Sequence, residues 1–351
     1  MNWEDMLVGE EITVLDAMAH LDKTAKKVLF VHREKRLLAA LTDGDIRRWI
    51  LAKGSLNAPI KNVANYHPFF LMNDEKAQAE SYLQKHKIEA LPIVNDNMII
   101  EDVIVWQQTK ENKEQIMSIN LPVVMMAGGK GTRLYPYTHI LPKPLIPVGE
   151  IPIAEHIINQ FRKFDCKVFY LIVNHKKNMI KAYFNEINKD YKVVYADEDE
   201  PLGTGGGLSL LKGKIDSTFI LTNCDILVNE DFSKIYKWHK ENQHVITMIC
   251  SLKNFCVPYG IVELGEQGEL ESMKEKPTFS FFTNTGCYIV EPEVIDDMEE
   301  NKAMAFTDII EKYKKQGRSV GVYPIGEGAW LDMGQIDEFE RMHEHIVSGV
   351  K

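Results

Sequence analysis

Residues 121–148 read LPVVMMAGGKGTRLYPYTHILPKPLIPV. The run from Leu121 to Ala127 is apolar without interruption and is halted by glycines, the pattern of a strand buried on both faces. Beyond it, residues 153–164 read as a helix, 168–173 as a strand, 179–187 as a helix, 192–195 as a strand, 204–211 as the opening of a helix and 219–222 as a strand. That alternation predicts a doubly wound α/β domain over residues 121–351, with ligands taken beyond the carboxyl ends of its strands. Gly128, Gly129 and Gly131 allow a sharp turn that carries backbone N–H groups to anionic oxygens, where a Cβ would obstruct. Arg133 supplies a permanently charged planar fork and Lys143 a mobile ammonium, held between Pro142 and Pro144. Such a loop suits a polyphosphate whose charge grows on a leaving oxygen. It is neither the G-x-x-x-x-G-K-[ST] loop nor G-x-G-x-x-G.

Toward the N-terminus the texture changes. Residues 28–31 and 37–41 read as a strand pair around a turn at 32–36, and residues 43–51 as a helix with an early acidic residue. An echo follows in a helical stretch at 75–86 and strands at 91–94 and 98–105. Placing Val31 on Val94 gives a repeat of about sixty residues, two half-modules that bury each other's apolar faces. Residues 111–120 are polar and read as a linker or a terminal helix, so a first domain is expected over residues 1–115.

Composition bounds the rest. The chain has 351 residues, 45% hydrophobic and 26% charged, enough for two well-buried domains. Its formal charge of −10 disfavours nucleic acid and anionic membrane as partners, so phosphate chemistry has to be local. The five cysteines contain no C-x-x-C pair and read as free thiols of a reducing compartment. The acidic start MNWEDMLVGEE is unlike a signal peptide, and no apolar run approaches the roughly 20 residues of a membrane span. A cytoplasmic enzyme is the expectation.

The stretch quoted above resembles the signature of the sugar-1-phosphate nucleotidyltransferases, G-G-x-G-T-R-L followed by P-K-P. The resemblance implies a Rossmann-like mixed-sheet (GT-A-like) fold and the joining of a nucleoside triphosphate to a sugar 1-phosphate with Mg2+ as cofactor. It makes Arg133, Lys143 and Lys276 the catalytic cations, and places the nucleotide on Ala127, Gly128, Gly129, Gly131 and Thr132. Residues 201–207, PLGTGGG, are similar to the P-L-G-T-x-G that packs under base and ribose, which adds Gly203, Thr204 and Gly205. The Asp225 carboxylate, after the strand at 219–222, and Asp332, within a W-x-D-x-G, are implied metal ligands; Cys224 stands where the family usually has glycine. The segment at 258–263 with Gly260, the E-K-P at Glu275, and the N-x-G at Asn284 are similar to the family's sugar-binding elements.

Residues 38–48, LAALTDGDIRR, resemble the T-x-x-D signature of a CBS module, so the first domain is expected to be a smaller α/β CBS pair. The resemblance implies that Thr42 and Asp45 hold a regulatory nucleotide. At an offset of 63, Val105 stands against Thr42 and Gln108 against Asp45, which allows at most one competent site; a packing or dimerisation module without ligand is the alternative. The fusion is similar to the guanylyltransferases that make GDP-glucosamine for bacterial legionaminic acid synthesis. That similarity implies GTP and glucosamine 1-phosphate as substrates. A mannose- or heptose-1-phosphate guanylyltransferase, a uridylyl- or thymidylyltransferase, and a catalytically silent regulatory subunit are the alternatives. A homo-oligomer is expected.

Overall fold

The computed structural model describes residues 3–24, 28–86, 88–105, 117–265, 267–334 and 336–348. The chain divides into two compact units, 1–114 and 115–351. In the first, β1 (Leu7–Gly9), α1 (Val14–Thr24), β2 (Val28–Arg33), β3 (Arg36–Thr42) and α2 (Asp43–Leu51) are followed by β4 (Leu71–Met72), α3 (Ala79–His86), β5 (Ala90–Val94) and β6 (Ile100–Val105). Each half forms a three-stranded sheet, β1-β2-β3 and β4-β5-β6, made of one parallel and one antiparallel pair. Each hairpin carries a bulge at the same place, Val31/His32 in one and Ile93/Val94 in the other. The bulges set Val31 on Ile93, not on Val94, while Leu37 falls on Ile100, because the second hairpin turn holds one residue more. Phe30, Leu37, Ala90, Val94 and Ile100 share a core, so the halves do bury each other's apolar faces. Thr42 and Asp45 form a reciprocal cap at the start of α2: Asp45 N–H donates to the threonine hydroxyl (3.2 Å), and Thr42 N–H to the carboxylate (2.9 Å).

The second unit opens with β7 (Val123–Met126), α4 (Tyr137–Ile140), β8 (Pro147–Val148), β9 (Ile151–Pro152), α5 (Ile153–Arg162), β10 (Val168–Val173), α6 (Lys177–Glu186), β11 (Lys192–Asp197), α7 (Gly203–Gly206), β12 (Phe219–Asn223), β13 (Ile226–Val228) and α8 (Phe232–Glu241). It continues with β14 (Ile246–Cys256), β15 (Ile261–Leu264), β16 (Leu270–Lys274), β17 (Thr278–Val290), α9 (Glu293–Asp296), α10 (Phe306–Lys315), β18 (Val320–Ile325), β19 (Trp330–Asp332) and α11 (Ile336–Ser348). Seven strands form the main sheet in the order β11-β10-β7-β12-β17-β14-β18. The first four are mutually parallel; β17 runs antiparallel to β12 and to β14, so the sheet is mixed and not uniformly parallel.

Strand alternation explains the apolar run that begins at Leu121. Val123 and Met125 face one core with Phe169, Leu171 and the α5 residues Ile157, Ile158 and Phe161. Val124 faces the other core with Ile172, Leu208 and the α10 residues Phe306, Ile309 and Tyr313. After β7 the chain builds outward through β10 and β11, then crosses back to place β12 on the other side of β7, so the strand order reverses between β7 and β12. Crevices open at such a reversal. A buried polar knot braces the far end of the sheet. His239, fully buried, sits with one ring nitrogen 2.8 Å from the Thr247 hydroxyl and the other 3.0 Å from Glu291, which also accepts from Lys240 and Thr218, each at 3.0 Å.

Candidate active site

The loops at the carboxyl ends of β7 and β12 carry the two motifs singled out above. Leaving β7, Ala127 is still laddered to Ile172 (2.8 Å) and the chain then turns through Gly128–Gly131. Gly131 has φ +66°, and a Cβ there would stand 2.9 Å from Thr138 and 3.2 Å from the Lys143 side chain. Thr138 donates its hydroxyl to the Gly131 carbonyl (2.9 Å), and Lys176 Nζ donates to the carbonyls of Thr138, His139 and Ile140 at 2.7–3.0 Å. The loop is thereby folded over and tied down, with Lys143 pinned between the buried rings of Pro142 and Pro144. Thr132 and Arg133 lie in the following turn and are exposed; the Arg133 guanidinium has no hydrogen bond or ion pair among the described residues.

From β12 the chain turns through Cys224 into Asp225. Cys224 packs into the core and burial pushes its thiol up to about 12, so the residue that replaces glycine serves as a small apolar plug. Asp225 forms a short ion pair with Lys143, both side chains being only 16% exposed. β13 pairs with β19 so that Ile226 stands opposite Asp332, and Met333 N–H donates to the Asp225 carbonyl (2.8 Å). Two aspartates more than a hundred residues apart are thus neighbours through backbone pairing. Burial first, and then the charge of Asp225, raise the Asp332 carboxyl above its ordinary value, while the Gly334 N–H (2.7 Å) pulls the other way.

Asp225, paired with Lys143, and Asp332, brought near it by the β13–β19 pairing, match what Mg2+ asks of a protein: one or two oxygens, with water and phosphate for the rest. Among the described residues no group of three or more His, Cys, Asp or Glu side chains could hold a metal, so any ion here depends on oxygens that the substrates bring.

The other expected residues divide. Asn284 donates to the Tyr288 hydroxyl (2.6 Å) and accepts from Gly286 N–H (3.1 Å). Gly286 has φ +81° and presses on Asn223, whose side-chain nitrogen would lie 2.4 Å from a Cβ, so the N-x-G abuts the end of β12. Gly260 lies against the Glu275 carboxylate, 2.8 Å from a would-be Cβ, on a ribbon where Lys276 is exposed with φ +45° and no side-chain partner among the described residues. Among the described residues no hydrogen bond or ion pair joins this ribbon to Asp225. In the PLGTGGG segment, Gly205 and Gly206 N–H groups donate to the Met304 carbonyl (2.9 and 3.0 Å), and Thr204 accepts from Phe306 N–H (3.1 Å). Those three residues are thus engaged with the chain entering α10.

One residue escaped the sequence reading. Glu198, directly after β11, is 5% exposed, and its carboxylate spans the two glycine loops: Oε2 lies 2.6 Å from a would-be Cβ at Gly128, and Oε1 lies 2.6 Å from one at Gly207. Its backbone is clamped by Val173 O (2.9 Å) and Asn174 Nδ2 (3.0 Å). Leu202 N–H reaches the carboxylate, yet Oε1 has no partner, and burial raises the carboxyl above its ordinary value. Placed in the acidic run ADEDE (196–200), it reads as one of several solvated charges; only the strand end before it hinted that it turns inward.

Comparison with known proteins agrees with this geometry. Residues 122–349 match the family described as nucleotidyl transferase. A bifunctional GlmU protein of Methanococcus maripaludis is 32% identical over 223 residues, 61% of this chain and 51% of that protein. A mannose-1-phosphate guanylyltransferase of Mycobacterium tuberculosis is 27% identical over 234 residues, 65% of each chain. The chain spans about half the length of the GlmU relatives it matches. The crystal structure of HddC from Yersinia pseudotuberculosis shares the fold, with a TM-score of 0.51 and 22% identity over 64% of this chain and 99% of that one. With residues 122–349 matched over nearly the whole second unit, the chain belongs to the nucleotidyl transferase family.

Proposed function

We propose that this chain transfers GMP from GTP to a sugar 1-phosphate, glucosamine 1-phosphate in particular, giving GDP-glucosamine for surface nonulosonate (legionaminic acid) synthesis. The observation that carries the reaction class is the convergence of Lys143, Asp225 and Asp332 beside the glycine loop at the β7/β12 reversal. A phosphate oxygen of the sugar 1-phosphate attacks the α-phosphorus in line; the new P–O bond forms as the bond to the β-phosphate oxygen breaks, and its electron pair leaves with pyrophosphate. Both reactants are already anionic oxygen species, so the protein has no nucleophile to supply and its task is to hold two anions together. The N–H groups of Gly128, Gly129 and Gly131 face the triphosphate, and Arg133 and Lys143 take up charge on the leaving group. Lys276 positions the attacking phosphate, with Gly260, Glu275 and Asn284 on sugar hydroxyls. Asp225 and Asp332 would hold Mg2+, which when bound neutralises phosphate oxygens.

Glu198 supports guanine. Guanine's Watson–Crick edge offers two adjacent donors, N1–H and N2–H2, and a carboxylate offers two adjacent acceptors, whereas uracil and thymine offer one donor flanked by acceptors. The buried, half-satisfied Glu198 carboxylate beside the glycine loops fits the first pattern. A guanylyltransferase among the relatives is in keeping with it. The first unit is proposed as a CBS pair with one regulatory nucleotide site at Thr42 and Asp45; Gln108, the counterpart of Asp45, lies outside the described residues. The test is to incubate the full chain with Mg2+, each triphosphate and a panel of hexose and hexosamine 1-phosphates, and to measure pyrophosphate and nucleotide sugar. GDP-glucosamine as the fastest product is expected. Preference for another pairing replaces the substrates, and no product from any pairing returns the chain to a regulatory role.

A further inference from the structure

One side chain stands where the β14–β17 ribbon leaves the body of the second unit. Ser251 and Leu252 are fully buried, whereas Phe255 is 53% exposed. The pairing of β14 with β18 ends at Ser251 opposite Ile325, and from Leu252 to Cys256 the strand continues with β17 as its partner. Lys253 lies on this outgoing stretch, yet its side chain is only 21% exposed: the ammonium is 3.3 Å from the Glu327 carboxylate and 5.2 Å from the centroid of the Trp330 ring. Just before it, the Ser251 hydroxyl donates to the Gly326 carbonyl (3.3 Å). Both ties reach the turn at Glu327–Ala329, which runs directly into β19. Trp330 and Asp332 are two residues apart on that strand and share a face. The Trp330 indole N–H has no partner among the described residues, so packing and the cation over the ring hold it.

We propose that Lys253 is a positioning residue: it ties the ribbon that carries Gly260, Glu275 and Lys276 to the strand that carries Asp332, and so sets the angle at which the sugar 1-phosphate is presented. The inference rests on the reading of that ribbon as the sugar site. β19 is fixed by its own pairing with β13, so it is the ribbon that moves when the tie is cut. About 10 Å of extended chain separates Lys253 from Cys256, where the ribbon's pairing ends opposite Thr278, and a tilt of about 6° at the lysine therefore moves that end by about 1 Å. Misplacement of that size can cost about a hundredfold in rate. An ion pair and a cation–π contact at this exposure together favour the docked ribbon by about 3- to 30-fold. The glycine loop, Arg133 and Lys143 follow β7 and lie off this lever, so the effect falls on the sugar phosphate and spares the triphosphate. A lysine that served stability alone would not divide the two substrates.

Two measurements on the full chain test this: steady-state kinetics with each substrate varied in turn, and hydrogen–deuterium exchange by mass spectrometry without substrates. Lys253→Met keeps the stem and removes the charge. It should raise KM for the sugar 1-phosphate about fivefold or more while KM for the triphosphate stays within about twofold, and exchange over residues 253–256 and 278–282 should quicken about threefold or more. Lys253→Arg keeps both contacts and should restore wild-type behaviour in all three. Glu327→Gln loosens the tie from the other side; it serves if the methionine variant fails to fold, should shift the same quantities in the same direction, and should add little to Lys253→Met. Unchanged exchange in both charge-removing variants overturns the tie. Quicker exchange with an unchanged sugar KM, or with equal rises in both KM values, overturns the positioning role. A wild type inactive with every substrate pairing overturns the functional reading and the positioning role with it, while the exchange result still decides the tie.

Discussion

Glu198→Gln is the sharpest test of the base assignment. The side chain keeps its size, its clamped backbone and its place between Gly128 and Gly207, but one of its two acceptors becomes a donor. Facing guanine, that nitrogen meets N–H groups, so one charge-assisted hydrogen bond is lost and a donor is left opposing a donor. A hydrogen bond to a charged group is worth about 1.5–3 kcal/mol, and the buried mismatch adds to it. A total of about 2–4 kcal/mol corresponds to roughly 30- to 1000-fold in kcat/KM for GTP. A carboxamide suits a base that mixes donor and acceptor, so UTP should lose little or gain. Pyrophosphate release with GTP, UTP, dTTP, CTP and ATP reads this directly. Stability provides the control. Burial raises the folded-state pKa of Glu198, so its contribution is present at low pH and is lost as pH rises through that value. Burial thus makes the charged form of the side chain the costlier one, and the amide should melt no lower than wild type. A variant that keeps its GTP preference within twofold refutes the assignment, and one that loses all activity together with its melting transition shows a structural effect instead.

Three further outcomes follow from the same structure. Asp225→Ala should lower turnover by about a hundredfold or more and raise the Mg2+ concentration needed for half-maximal rate, with the melting temperature nearly unchanged; wild-type Mg2+ dependence would count against the metal role. Gly286→Ala puts a Cβ at φ +81° against Asn223, so we expect a cost of about 1–3 kcal/mol in urea unfolding together with reduced turnover. Glu291, although burial pushes its carboxyl up, is held down at about 2 by bonds with His239, Lys240 and Thr218. Its stabilisation is fully present above the ordinary value of 4.5 and fades as pH falls toward about 2. Glu291→Ala should cost about 2–3 kcal/mol at neutral pH, because His239 loses a buried partner, and the gap to wild type should close in acid denaturation.

How much of this was legible depends on whether the deciding force was local. The run from Leu121 to Ala127 announced a central strand because both faces of β7 meet core, and β10 spans the predicted 168–173 residue for residue. The Asp43–Leu51 helix was equally plain, since Thr42 and Asp45 cap it within four residues of sequence. The stretch at 204–211, which reads as the opening of a helix, is helical only in short pieces, α7 and a 3-10 turn, where glycines 203, 205 and 206 yield to the chain at 302–309. That packing partner is a hundred residues away and leaves no mark nearby. Residues 284–286, singled out only as an N-x-G, lie inside β17, whose 13 residues are held by β12 and β14 on either side. Glu198 stayed hidden for the same reason: its neighbours Asp197, Asp199 and Glu200 look alike in sequence, and only the sheet decides which carboxylate turns inward.

The hydrogen-bonded register of β7 with β12, Met126 against Asn223, has a bearing on how such a protein can change over time. The loop assigned above to the triphosphate and the aspartate beside it leave from adjacent strands, whose ends are held at the sheet spacing of about 4.8 Å. Chemistry is thereby insulated from drift. The residues assigned to the sugar sit instead on an outlying ribbon and on β17, where length and side chains can vary without altering that spacing. A lineage could thus exchange one sugar for another through the outlying ribbon while inheriting its phosphoryl-transfer geometry intact.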